Sequence, residues 1–467
     1  MRARWAVVGL IGLLTWAVTA GPVAAGTGVA VRTGHLLTDA GVPGYAVRII
    51  RPDRIEEEAI GGVDGAGRPV TASTPFVWGS VSKSVAARTA LGLAGRGALD
   101  LDAPVVAAVP AARDRLGDEV TVRDLIRHTS GLPHDVSVTD VARAGSASST
   151  IGTMPVPARA PRGTFRYSSL NYVLLQAVIE ASTGAPYSAA VESEVAVPAG
   201  AGIIADAATS ASRVPPGHVP FFTRPRVTVP AFDGAGLAYG YLAGSVDALA
   251  RYAQWLVRDE GGRDFPTVPT GRGADYGPGL YRETIAGREV WWHSGAVPGY
   301  FTHLAVFPES GRALVLVANR YGELESDRLA AVARHAMRAA AGDRTDPPDA
   351  GAGPSAVLVG TAAAAGLGAV AIGWATVRFA RRRSAGTRAA GRTAFGVVLC
   401  GIAGATAWFG PASIGYPRPV LARWVPDVAL LLTVLAAEAA ALALLLLAGG
   451  VIRHREGRAS RTGSACS

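Results

Sequence analysis

Three apolar stretches near the C-terminal end, residues 355–377, 394–414 and 428–452, constrain this chain more than any other feature. Each is near the roughly 20 residues a helix needs to cross a bilayer, and in hydrocarbon a helix satisfies all its backbone polar groups internally. They set a region of three transmembrane helices, about residues 354–453, apart from everything before it. Residues 343–353, rich in Pro, Asp and Gly, read as the linker. The loop after the first stretch carries Arg378, Arg381, Arg382, Arg383, Arg388 and Arg392, and the end of the chain adds Arg453, Arg455, Arg458 and Arg461. Only Arg418 and Arg423 lie between the second and third stretches. The positive-inside rule therefore expects a multi-pass protein of the cell membrane, with the arginine-rich loop and the tail at 454–467 cytoplasmic and the preceding domain extracytoplasmic. Trp408 and Trp424 stand where interfacial aromatics belong.

The other end agrees. Residues 1–25 begin with Arg2 and Arg4, run apolar, and finish in Val23, Ala24 and Ala25, the pattern of a signal peptide cleaved after Ala25; retention as a signal anchor is the alternative. No cysteine follows for a lipoprotein anchor. Residues 26–342 hold 30 basic and 30 acidic side chains, so the formal charge of +9 comes from Arg2, Arg4 and the 13 arginines against 6 acids after residue 342. No basic face for nucleic acid follows from that distribution. Cys400 and Cys466 suggest neither a disulfide nor a metal site.

Residues 26–342 have the mixed pattern of an α/β (α+β) domain. Residues 45–50 and 58–63, separated by Pro52-Asp53-Arg54, read as a hairpin. Helices are expected from Ser80 to about Gly95, from Thr121 with Asp124 in capping-box positions, and over 170–182, 246–258 and 326–341. Residues 290–294, 302–307 and 313–318 look like consecutive antiparallel strands. An antiparallel sheet built from the two ends of the domain, flanked by helices and carrying a helical insertion, would put a site at the junction.

One residue stands out there. Of 45 Lys and Arg side chains, only Lys83 is a lysine. It follows Ser80 at i+3, where a helix puts both on one face. A guanidinium stays protonated at any working pH, whereas a desolvated amine can accept a proton, so this lysine suggests an activated serine. By spacing alone, Ser80 could equally be a cap and Lys83 a solvated side chain.

The string Trp78-Gly79-Ser80-Val81-Ser82-Lys83, residues 97–105 and 122–133, and His293-Ser294-Gly295 with Pro298-Gly299 together resemble the beta-lactamase-related serine hydrolases over about residues 27–342. That family includes class C beta-lactamases, D-alanyl-D-alanine carboxypeptidases, D-aminopeptidases and esterases. The resemblance implies Ser80 as nucleophile, Lys83 as general base, Tyr167 as its acid/base partner, and the backbone N–H groups of Ser80 and Ala296 as oxyanion hole. It implies a two-step acyl transfer through an acyl-enzyme, with no cofactor and no metal.

Two departures bear on the substrate. Tyr167-Ser168-Ser169 puts Ser169 where the family has asparagine, and a hydroxyl cannot supply both a carbonyl and an amide; Asn171 would face another side of a helix. His293-Ser294-Gly295, expected to bind substrate, stands where penicillin-recognising members have Lys-Thr-Gly, and a histidine with an ordinary pKa near 6.5 is largely neutral at about pH 7.5. Recognition of a free carboxylate is therefore in question, and the esterase and D-aminopeptidase branch is the nearer likeness. Tyr167 as a core aromatic and His293 as a strand histidine bonded to backbone remain alternatives. His128 is expected to hold a loop, while His134, His218 and His303 carry no assignment. Residues 199–232 align with nothing in the family. Glu438, inside the third stretch, is by default a functional candidate, for transport or a proton relay, but a polar contact between closely packed helices is a sufficient explanation.

The leading expectation is an extracytoplasmic, membrane-anchored serine hydrolase acting on an ester, amide or peptide, from the cell wall among other sources. The alternative is a penicillin-recognising receptor or non-catalytic binding module, which would need a separate membrane partner to signal; a pseudoenzyme scaffold rests on Ser169 alone.

Overall fold

The computed structural model describes residues 28–134, 139, 146–154, 159–344, 346–349, 353–381 and 390–463. The expected signal peptide at 1–25, part of the linker and most of the arginine-rich loop lie outside the described residues.

The helices that shape the N-terminal domain are α1 (Val29–Asp39), α2 (Ser82–Gly95), α3 (Val122–Arg127), α4 (Ser169–Thr183), α5 (Val246–Val257) and α6 (Ser326–Ala340). The main strands are β1 (Gly44–Ile50), β2 (Ile55–Gly62), β3 (Tyr281–Ile285), β4 (Arg288–Val297), β5 (Tyr300–Phe307) and β6 (Arg312–Ala318). The ends of the domain meet where β6 pairs antiparallel with β1, Leu316 opposite Val47. The sheet has eight strands in the order β2-β1-β6-β5-β4-β3, extended by short strands at Asp275–Tyr276 and Val268–Pro269.

The sequence of β6 explains the layering. It is apolar at every position from Ala313 to Ala318, so it has two faces to bury rather than one. Ala313, Val315 and Val317 pack into the core shared with the helical insertion. Leu314, Leu316 and Ala318 pack on the other face, against residues of α1 and α6. Local signals hold in the insertion as well. The Thr121 hydroxyl accepts from the Asp124 N–H at 3.3 Å, and the Asp124 carboxylate accepts from the Thr121 N–H at 3.0 Å. That capping box starts α3, which stops at His128 in a left-handed conformation (φ 58°).

Beyond the domain run α7 (Ala356–Arg381), α8 (Ala390–Ser413), the short α9 (Arg418–Trp424) and α10 (Pro426–Gly463). Three spans, Ala356–Arg378, Thr393–Ser413 and Pro426–Gly449, are long and apolar enough to cross a membrane. α10 continues past residue 452, where the third span was expected to end. Small residues set the packing: a Cβ on Gly404 of α8 would stand 3.3 Å from Ala439, and one on Gly368 of α7 would stand 2.2 Å from the Glu438 carboxylate. The α8–α10 connection, read from sequence as a loop, forms α9 and docks on the N-terminal domain. Trp424 packs edge-on against Tyr321 at 5.9 Å, and the Phe222 N–H donates to the Asp427 carboxylate at 3.1 Å.

Candidate active site

The candidate site lies at the junction of the sheet with the helical insertion. Ser80 occupies a single 3-10 turn, Gly79–Val81, that leads into α2 at Ser82. The i, i+3 spacing then turns Lys83 back onto Ser80, with Lys83 Nζ donating to Ser80 Oγ at 3.0 Å. Lys83 is fully buried, a costly position for an ammonium, and oxygen acceptors surround it. It also donates to the Tyr239 carbonyl at 2.8 Å and to Ser169 Oγ at 3.2 Å. Tyr167 Oη donates to Ser80 Oγ at 2.9 Å. One serine oxygen thus accepts from two groups, each of which becomes a base for the serine proton once it has given up the proton it donates here.

Tyr167 is aimed by the segment before α4. The Ser168 hydroxyl caps α4 through the Leu170 N–H at 3.2 Å and donates to the Pro133 carbonyl at 2.7 Å. His128 Nδ1 receives the Ser168 N–H at 3.2 Å and the Asn171 side-chain amide at 2.9 Å. Accepting twice requires an unprotonated Nδ1. Burial, and then the neighbouring Lys83 charge, push the His128 pKa well below its ordinary value. His128 therefore holds the tyrosine segment, as expected. Asn171 spends its carbonyl on the Ser130 hydroxyl at 2.6 Å, and it is Ser169 whose hydroxyl bonds to Lys83.

β4 supplies the other wall. A Cβ on Gly295 would fall 2.0 Å from the Trp78 carbonyl, and one on Gly79 would fall 2.2 Å from the Ala296 N, so only glycines let β4 lie against this turn. That approach brings Ser80 and Ala296 together on one cleft of about 350 Å³. His293 is 3% exposed and packs near Tyr281 and Tyr167, at 5.3 and 6.1 Å between ring centres, rather than on the cleft wall. Its Nδ1 lies 2.6 Å from the Ser294 carbonyl. Burial, and secondarily the Lys83 charge, bring its pKa down to about 3. The His293-Ser294-Gly295 segment accordingly presents no positive charge. The Ser294 hydroxyl is engaged by His303 Nδ1 at 2.8 Å.

Several cleft residues escaped sequence reading. Tyr239, in a π-helical turn at Leu237–Tyr241, acts through its carbonyl, and a backbone atom leaves no side-chain signature. His134 lines the cleft and receives the Ser169 N–H on Nδ1 at 3.4 Å; only its place just after Gly131-Leu132-Pro133 hinted at this. Tyr416, Val420 and Trp424 line the same cleft from the membrane region. Among the described residues, no cluster of His, Cys, Asp or Glu forms a metal site.

The family model "Beta-lactamase" matches residues 30–339. Esterase EstB of Burkholderia gladioli is 36% identical over 159 residues, 29% of this chain and 39% of the esterase, so this chain spans well under half of that relative. Penicillin-binding protein 4 of Amycolatopsis lactamdurans is 26% identical over 323 residues, 61% of this chain and 82% of its own length. Among solved structures, the octameric penicillin-binding protein homologue from Pyrococcus abyssi superposes with a TM-score of 0.58 at 24% identity, over 68% of this chain and 77% of its own, a likeness of fold.

Proposed function

This chain belongs to the beta-lactamase family, and on that premise we propose that it is an extracytoplasmic, membrane-anchored serine hydrolase that cleaves an ester or amide through an acyl-enzyme. The observation that carries the proposal is the pair of hydrogen bonds to Ser80 Oγ, from Lys83 at 3.0 Å and Tyr167 at 2.9 Å. For attack one of the pair is deprotonated, Lys83 as the neutral amine or Tyr167 as a phenolate beside the Lys83 ammonium, and that group takes the Ser80 proton as Oγ bonds to the carbonyl carbon. The carbonyl oxygen takes up negative charge opposite the Ser80 and Ala296 amides, which stabilise it most in the tetrahedral intermediate. Collapse breaks the bond to the leaving oxygen or nitrogen, which departs with the transferred proton. Water then repeats the sequence on the acyl-enzyme and releases a carboxylic acid and free Ser80.

An ester or an amide without a free carboxylate fits the charge of the cleft. A neutral His293 offers no counter-charge, and among the described residues that line the cleft there is no arginine and Glu323 is the one carboxylate. Likeness to the esterase agrees with this reading, while likeness to a penicillin-binding protein keeps acylation without turnover as the second reading.

Intact-mass spectrometry of the full chain with a fluorophosphonate, and separately with a penicillin, tests both. One fluorophosphonate adduct is expected on wild type and none on Ser80→Ala. Lys83→Met, which keeps the buried stem, should slow labelling at least about 100-fold, the scale of a lost proton acceptor. A persistent penicillin adduct would favour the receptor reading; unlabelled, folded wild type would overturn both.

A further inference from the structure

The cleft that holds Ser80 is finished by the membrane region. Val420 and Trp424 of α9 and the preceding Tyr416 line it together with Ser80, Ala296 and Phe301. α9 cannot stand far from the bilayer, because the spans on either side end at Ser413 and begin again at Pro426. A helix rises only about 1.5 Å per residue, so the connection reaches on the order of 10 Å above the lipid. Several contacts hold it against the domain. Leu421, Val425 and Val428 share a cluster with Leu324, Trp424 packs on Tyr321, and the buried Asp427 accepts the Phe222 N–H. On the membrane side Arg418 lies over the Trp408 ring at 4.3 Å. One wall of the cleft is therefore apolar and sits at the membrane surface, and the other carries the serine.

We infer that the substrate is a membrane-resident amphiphile, an ester or amide whose hydrocarbon chain lies against Val420 and Trp424 while its carbonyl meets Ser80. Such a molecule reaches the cleft laterally from the leaflet, and its chain leaves lipid for an apolar wall at little cost in desolvation. A short water-soluble ester reaches the same serine without that contact. Glu323, facing the cleft beside Tyr321 and Tyr416, fits a head group that is neutral or carries an amine and disfavours an anionic one. The inference rests on the hydrolase reading above.

The test uses the full chain in lipid nanodiscs, with 4-nitrophenyl dodecanoate and 4-nitrophenyl butyrate as probes. The readout is the ratio of their kcat/KM values, which is independent of the fraction of protein that is folded. Wild type is expected to favour the dodecanoate at least tenfold. Val420→Asp, and the milder Val420→Ser, should lower the ratio, Val420→Asp by about tenfold. A wild-type ratio near one, or a ratio that both variants leave unchanged, overturns the inference while Ser80 labelling by the fluorophosphonate keeps the hydrolase reading intact. Absence of that labelling in wild type overturns the hydrolase reading and this inference with it.

Discussion

At the residue scale the site is governed by what burial does to groups that would be charged in water. Lys83 is tolerated without exposure because oxygen acceptors from three different segments converge on it. The histidines take the other course and stay neutral. His293 and His303 would titrate near 6.5 in an unfolded chain, but burial brings both down to about 3 in the fold. Between those values the unfolded chain binds more protons than the folded one. Their contribution is therefore complete above about pH 6.5 and is lost as pH falls toward 3, by about 1.4 kcal/mol per pH unit for each histidine. Thermal unfolding of the full chain should accordingly occur at lower temperature at pH 5 than at pH 7, and His303→Asn should flatten that dependence. An unaltered slope in the variant would mean that His303 titrates near its ordinary value.

At the element scale, Arg320, just past the end of β6, connects segments that are far apart in sequence. It is 1% exposed and donates to the Glu325 carboxylate at 2.6 and 2.9 Å, to the Gly41 carbonyl after α1 at 2.7 Å, and to the Thr223 carbonyl at 2.8 Å. Removing one partner of a buried pair leaves the other charge without compensation, at about 3–5 kcal/mol. Arg320→Met should destabilise the domain on that scale in chemical denaturation, and adding Glu325→Met should recover much of the loss. A double variant no more stable than the single one would show that the bonds to Gly41 and Thr223, rather than the ion pair, carry the effect. The elements themselves were largely legible beforehand: the hairpin of β1 and β2, the three late strands, and the capping box of α3 depend on neighbours in sequence. The 3-10 turn at Ser80 was not legible, because the close approach of β4 accompanies it.

At the scale of the whole molecule, the proposed orientation expects the connection between α8 and α10 on the same side of the membrane as the N-terminal domain, since two candidate spans separate them. In cells expressing a chain with Cys400 and Cys466 replaced by serine, Ile414→Cys should react with a membrane-impermeant maleimide, and Ser384→Cys only after the membrane is opened. The reverse pattern would refute the extracytoplasmic orientation. The amino-acid sequence by itself displayed a family domain followed by three stretches long and apolar enough to cross a membrane, the family motifs in their order, the single lysine three residues after the serine, and the strands and helices around them. These follow from runs, periods and spacings that a linear chain displays. Only the tertiary structure decided that Ser169 and the Tyr239 carbonyl complete the shell of Lys83, that His293 lies off the cleft wall and is neutral, and that α9 closes the cleft with Val420 and Trp424. Each of these depends on burial or on contact between segments tens to hundreds of residues apart, which residue type and local spacing do not encode.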